Sequence, residues 1–80
     1  MKYTMYSVKD VMTERYFAPV MMLNDNEAIR QFKTQVNNQQ LWKDNPQDFD
    51  LYSLGTFEEE TGEIIYKPTK IIGGRSVVDA

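Results

Sequence analysis

Hydrophobic positions divide the chain into three kinds of stretch. Over residues 2–11 they fall on both faces of an extended chain, Tyr3 and Met5 to one side, Tyr6 and Val8 to the other. This predicts a strand covered on both sides, by two-sided core packing first, or by a partner subunit or ligand. Residues 24–36 carry a helical stripe: Ala28, Ile29, Phe32 and Val36 recur at i, i+1, i+4 and i+8, with Arg30, Lys33, Thr34 and Asn37 on the wet side. Asn24 is a good N-cap and Glu27 completes a capping box. Asp25 suits the positive end of the helix dipole. The helix is predicted to end near Asn37-Asn38, because Asn tolerates a left-handed cap. Residues 49–57 are rich in aromatic and aliphatic side chains, as a strand requires. Asn45-Pro46 opens a turn before them. Glu59-Glu60-Thr61-Gly62 then reverses the chain, and residues 63–66 return as the partner strand.

Two loop lengths are compatible with that reversal. A four-residue loop sets Phe57 opposite Ile64, Thr56 opposite Ile65 and Gly55 opposite Tyr66. A three-residue loop shifts the pairing by one and turns the returning strand over. Gly55 in mid-strand marks a bulge or a close neighbour, with Tyr66 placed to cover it. Residues 12–23 have no clean period, and Pro19 excludes a regular helix there, so a loop and a short extended segment are expected. In residues 37–44 only Leu41 and Trp42 are apolar, and Trp42 belongs in a core or an interface. Pro68 puts its strand at an edge or breaks it. Ile71 and Ile72 suggest a short additional strand, and residues 72–80 read as a flexible tail. The fold class that follows is α+β in a single domain, 1–80. It is a small, mainly antiparallel sheet of N-terminal strand plus C-terminal hairpin, with one helix on one face.

Composition narrows the chemistry more than the fold. The chain has 80 residues, with 41% hydrophobic and 26% charged side chains, which is ordinary globular composition. It has neither cysteine nor histidine. Disulfides, thiolate ligands and the usual neutral-pH general base are therefore absent, and no spacing sets up a nucleophile with its base. A non-enzymatic protein with no cofactor and no metal is expected. No apolar run approaches the ~20 residues of a membrane span, and residues 1–11 lack a signal-peptide core, so a soluble, cytoplasmic protein is expected. The net charge is −3, from nine basic and twelve acidic side chains. Nucleic-acid binders usually carry a basic excess, though only the local surface has to be positive. Glu58, Glu59, Glu60 and Glu63 lack calcium-loop spacing and read as a solvated, aggregation-blocking tip. They would repel nucleic acid, which places any binding surface at the opposite end of the sheet.

Cations beside aromatics are the remaining signal. Arg15-Tyr16-Phe17 can stack on bases and hold phosphate, or Tyr16 and Phe17 can plug the core edge. Lys67, Lys70 and Arg75 form the most basic stretch, and Gly73-Gly74-Arg75-Ser76 is a candidate anion nest or simply a flexible exit.

Several of these segments together resemble a known family. Tyr6-Ser7-Val8-Lys9-Asp10, Phe17-Ala18-Pro19, Asn24-Asp25, the run from Pro46 to Phe57, and Glu59 to Gly62 are similar to the small nonstructural protein of gokushoviruses, single-stranded DNA phages of the Microviridae. The likeness covers nearly all of residues 1–66, and residues 46–57 are its most specific part. It implies a replication protein of the host bacterial cytoplasm, not a capsid component. Such a protein would act in the switch to single-stranded genome synthesis by binding DNA. It carries over no catalytic residue.

The expected partner is therefore single-stranded DNA, bound by a homo-oligomer, a dimer first. Candidate contacts are Lys2, Lys9, Arg15, Tyr16, Phe17, Lys67, Lys70 and Arg75, with Tyr3, Tyr6, Tyr52 and Tyr66 as further stacking groups. The alternative is a homodimeric interaction module that docks on phage or host replication proteins without touching DNA.

Overall fold

The computed structural model describes residues 1–79. Its frame is the strand β1 (Lys2–Asp10), which is paired along both edges. On one side runs β4 (Phe49–Glu58), antiparallel from Lys2↔Glu58 to Asp10↔Phe49. On the other side lie two short strands, β2 (Arg15–Tyr16) against the end of β1 and β3 (Val20–Met22) against its start. The strand β5 (Ile64–Gly73) pairs with β4 and closes the order β2-β1-β4-β5. Central placement explains why Met5, Tyr6, Ser7 and Val8 are all buried in succession. The stretch expected as loop and extended segment supplies β2 and β3, so the sheet has five strands instead of three. Pairs that short have no local signal of their own; they form because β1 offers them an edge.

One helix, α1 (Asp25–Asn38), covers one face of this sheet. Asn24 caps it, its Oδ1 accepting from the Glu27 amide at 2.9 Å. Ala28, Phe32 and Val36 are buried against Tyr6, Val8, Met22, Phe49, Leu51 and Val77, which together form the core. The helix stops as Asn37-Asn38 suggested, but not by a left-handed Asn. Gln39 is the cap, extended at φ −94° and ψ 116°, with its amide bonded to the Gln35 carbonyl. A second helix, α2 (Gln40–Asp44), follows at once. It delivers Trp42 onto Phe49, ring centroids 4.7 Å apart and nearly parallel, so the tryptophan joins the edge of the core. A 3-10 turn at Pro46–Asp48 leads into β4.

The hairpin adopts the four-residue loop. Phe57↔Ile64, Thr56↔Ile65 and Gly55↔Tyr66 are in register. The Glu58 amide donates to the Glu63 carbonyl at 2.9 Å, and the Gly62 amide to the Glu58 carbonyl at 2.7 Å. Gly62 takes φ +75°, which its missing Cβ permits. Gly55 answers to both expectations. The β1–β4 register steps from Met5↔Gly55 to Tyr6↔Ser53, leaving Leu54 unpaired in a bulge. Gly55 has φ +137°, and a Cβ there would lie 1.9 Å from the Ile65 carbonyl oxygen.

β5 lies at the sheet edge, one of the two outcomes that Pro68 allowed, but it joins the returning strand and the additional strand expected at Ile71-Ile72 into one. It continues through Pro68 as one edge strand of ten residues. Two register shifts absorb the misfit, one around Pro68 and one at Ile71. At a bulge on an edge, a residue without an N–H costs no ladder bond. Beyond it, residues 74–79 are docked, not loose. Gly74–Ser76 form a 3-10 turn, Val77 is buried, and Asn37 clamps the segment. Asn37 Nδ2 donates to the Val77 carbonyl at 3.1 Å, and Asn37 Oδ1 accepts from the Asp79 amide at 2.7 Å. Residue 80 of the expected tail lies outside the described residues.

The molecule is elongated, 43 × 23 × 16 Å. Ten-residue strands span roughly 33 Å, while the 14-residue helix spans roughly 21 Å. The start of β1 and the tip half of the hairpin therefore project past the helix. Ile64, Ile65 and Tyr66 are exposed there.

Candidate nucleic-acid interface

Register decides which side chains share the face away from α1. Lys9 pairs with Tyr16 on one side and Asp50 on the other, while Ser7 pairs with Tyr52, and Tyr52 with Lys70. Val8 and Leu51 point into the core, so their neighbours Lys9, Asp50 and Tyr52 point out of it. The Tyr16 and Tyr52 rings meet edge to face, centroids 5.5 Å apart. Lys9 Nζ stands 5.7 Å from the Tyr16 centroid and 5.8 Å from that of Tyr52. An ammonium on two ring faces is held by the ring quadrupoles, about 0.5–1 kcal/mol each at such a site. Lys70 Nζ lies 3.6 Å from Asp50 Oδ2 and completes the cluster from β5. Arg15 is exposed on the adjoining edge, next to Tyr16. Two flat π-faces beside three cations, on strands rather than loops, can stack bases and hold phosphates.

The other candidate residues are distributed elsewhere. Phe17 follows Tyr16 but turns to the helix side, 5.3 Å from Trp42 between ring centroids, where it plugs the core edge. Lys2 pairs with Glu58 at the acidic tip, far along β1 from Lys9. Lys67 sits at the Pro68 bulge of β5, and Arg75 in the terminal 3-10 turn. That turn is not an anion nest: neither Gly73 nor Gly74 has positive φ. Gly74 is needed instead for close packing, since a Cβ there would lie 2.4 Å from the Pro46 carbonyl oxygen.

Of the further stacking groups, Tyr52 joins the cluster. Tyr3 and Tyr66 lie on the same face but nearer the tip, in register with Phe57 and Gly55. Tyr6 has no face to offer a base, because it is 1% exposed inside the core. Its hydroxyl donates to Asp25 Oδ1 at 2.5 Å, and burial, then this bond, pushes its pKa up from 10.0 to about 12.

The acidic tip does different work. Glu58, Glu59 and Glu60 gather around the Met1 ammonium, at 2.9, 3.6 and 3.6 Å. The hydrogen bond from that ammonium holds the Glu58 carboxyl below its usual range and raises the ammonium in turn. Among the described residues no three His, Cys, Asp or Glu side chains are grouped to hold a metal ion, and no helix is long and apolar enough to cross a membrane. A crevice of about 210 Å³ opens between α1 and residues 17–22, walled by Phe17, Met22, Phe32, Trp42, Gln31 and Gln35. Its uncharged lining does not suit a phosphate backbone.

Sequence reasoning missed Asp50 as the partner of Lys70, and it did not bring Lys9 to Tyr52. Asp50 meets Lys70 across the hairpin, and Lys9 meets Tyr52 across strands far apart in the chain. Alternation alone could have put Asp50 and Tyr52 on one face.

No curated protein and no solved structure matches this chain. A family model described as "Phage ORF5 protein" matches residues 3–78. The chain is therefore a bacteriophage protein and belongs to the Phage ORF5 family.

Proposed function

We propose that this protein is a non-enzymatic replication protein of a gokushovirus-like member of the Microviridae. It binds single-stranded DNA in the host cytoplasm during the switch to single-stranded genome synthesis. Its membership of a phage family supports the setting, and the resemblance of residues 1–66 to the gokushovirus nonstructural protein supports the finer assignment. The observation that carries DNA binding is Lys9 set beside the touching rings of Tyr16 and Tyr52 on the face away from the helix. It lies at the end of the sheet remote from the acidic tip. Single strands suit this surface because splayed bases expose π-faces that a duplex hides.

The charge count bounds the affinity. Lys9, Arg15 and Lys70 are three phosphate contacts, which predicts a salt slope near −2 for a single strand and a loss on the order of tenfold between 50 and 200 mM salt. Fluorescence anisotropy of labelled single- and double-stranded oligomers at those two concentrations tests the reading. Preference for the single strand, a salt-dependent loss and a further loss of ~1–3 kcal/mol in Tyr52→Ala are expected. Undetectable or salt-independent binding would overturn it. The net charge of −3 favours the second reading, a module that docks on replication proteins and ignores DNA.

A further inference from the structure

We propose that a second copy of this chain pairs with the free edge of β5, antiparallel about a two-fold axis, in a register centred on Ile65. β5 is the outermost strand of its side of the sheet, so one row of its N–H and C=O groups lacks a strand partner. Its first residues are conspicuously apolar and bare: Ile64 is 60% exposed, Ile65 48% and Tyr66 69%. Natural edges are blunted by lysines, prolines and bulges. Here those devices begin only at Lys67 and Pro68, and residues 64–66 have none.

The turn sets the phase of the edge. Because the Glu58 amide donates to the Glu63 carbonyl, Glu63 directs its backbone groups toward β4. Alternation then sends those of Ile64 outward, Ile65 inward and Tyr66 outward. In the proposed register Ile64 faces Tyr66 of the partner subunit, and Tyr66 faces the partner's Ile64. All four residues present outward groups, so each pair exchanges both N–H···O bonds. Ile65 meets the partner's Ile65 across the axis.

Charge complementarity names the occupant. Glu63 falls opposite the partner's Lys67, and Lys67 opposite the partner's Glu63. These ion pairs flank the Ile65 pair on one face of the ribbon, and the Ile64–Tyr66 pairs fill the other face. Residues 63–67 read acid, three apolar, base, which is complementary to its own reverse. Sliding two residues either way sets Ile65 against Glu63 or Lys67 of the partner subunit. The acidic tip of each copy also lies toward residues 67–70 of the other, so the ribbon relieves the repulsion expected between two chains of like net charge. The inference does not rest on the DNA reading, whose residues lie at the other end of the sheet.

Sedimentation velocity of the full chain over a wide concentration range tests it. A monomer–dimer equilibrium is expected. Glu63→Lys and Lys67→Glu each weaken it at least tenfold by setting like charges opposite, and the double variant restores it. Hydrogen exchange reads the register directly. The Ile64 and Tyr66 amides slow as concentration rises, while that of Ile65, bonded within the hairpin, does not change. A monomer at every concentration, single reversals without effect, failure of the double variant to recover, or unchanged Ile64 and Tyr66 amides would each overturn the proposal.

Discussion

Tyr6 joins β1 to the start of α1, and its hydroxyl offers a clean perturbation. Tyr6→Phe keeps the ring in the core and removes only the bond to Asp25 Oδ1. A hydrogen bond to a charged acceptor contributes roughly 1.5–3 kcal/mol. Asp25 is exposed and regains water when the hydroxyl leaves, so the lower figure applies, about 1.5 kcal/mol. For a domain of this size that lowers Tm by roughly 6–12 °C. Ionisation of the same hydroxyl gives an independent measure. Its pKa is raised from 10.0 to about 12, by burial first and by the bond to Asp25 second. Folding therefore favours the protonated form. The contribution is complete below the unfolded value of 10.0 and is lost as pH rises through about 12. Each pH unit in that window removes about 1.4 kcal/mol from the wild type and nothing from the phenylalanine variant. Urea unfolding of both proteins from neutral pH to about pH 11.5 measures the gap between them. It should stand near 1.5 kcal/mol up to about pH 10, close near pH 11 and reverse above it. Every other group is common to both proteins and cancels in the difference. A gap that stays constant through this window would refute the buried, bonded hydroxyl.

Two further substitutions test the hairpin and the terminus. Gly55→Ala must hold an L residue at φ +137° with its Cβ 1.9 Å from a backbone oxygen that has no flexible end to move. A cost above about 3 kcal/mol by urea unfolding is expected, and a cost below about 1 kcal/mol would show that the bulge simply relaxes. Asn37→Ala removes the two bonds that hold residues 77–79 to α1. It should cost about 1–2 kcal/mol and release the Asp79 amide to fast hydrogen exchange, whereas unchanged protection of that amide would mean the segment is held by Val77 alone.

What was legible in the sequence follows the range of each signal. The α1 stripe and its Asn24 cap are local, and both formed where the spacing put them. The hairpin register needed only the loop between Glu58 and Glu63, a short-range choice between two options. Pro68 marked β5 as an edge strand, but the bulge that carries the strand past it to Gly73 depends on β4 alongside and has no local signal. The tail was misread for the same reason: nothing near Val77 in sequence announces that Asn37 will bond it.

Tyr6 and Tyr52 mark where the candidate surface stopped being legible. Both are tyrosines in alternating strands, and alternation says only that neighbours face opposite ways. It does not say which face the helix takes. That is decided by Phe32 and Val36, which sit in one core with Tyr6 and Leu51 and so turn Tyr52 and Lys9 outward. The antiparallel path of β1 and β4 then fixes where charge can accumulate. Lys2 is carried to Glu58 at the tip, and Lys9 to Tyr52 and Asp50 at the far end. The sheet thereby carries Glu58, Glu59, Glu60 and Glu63 to one end of a 43 Å axis, while Asp10 and Asp50 stay beside the cations of the aromatic patch at the other. Overall charge is a weak guide to such a molecule, because the sheet sorts the charges that composition only counts.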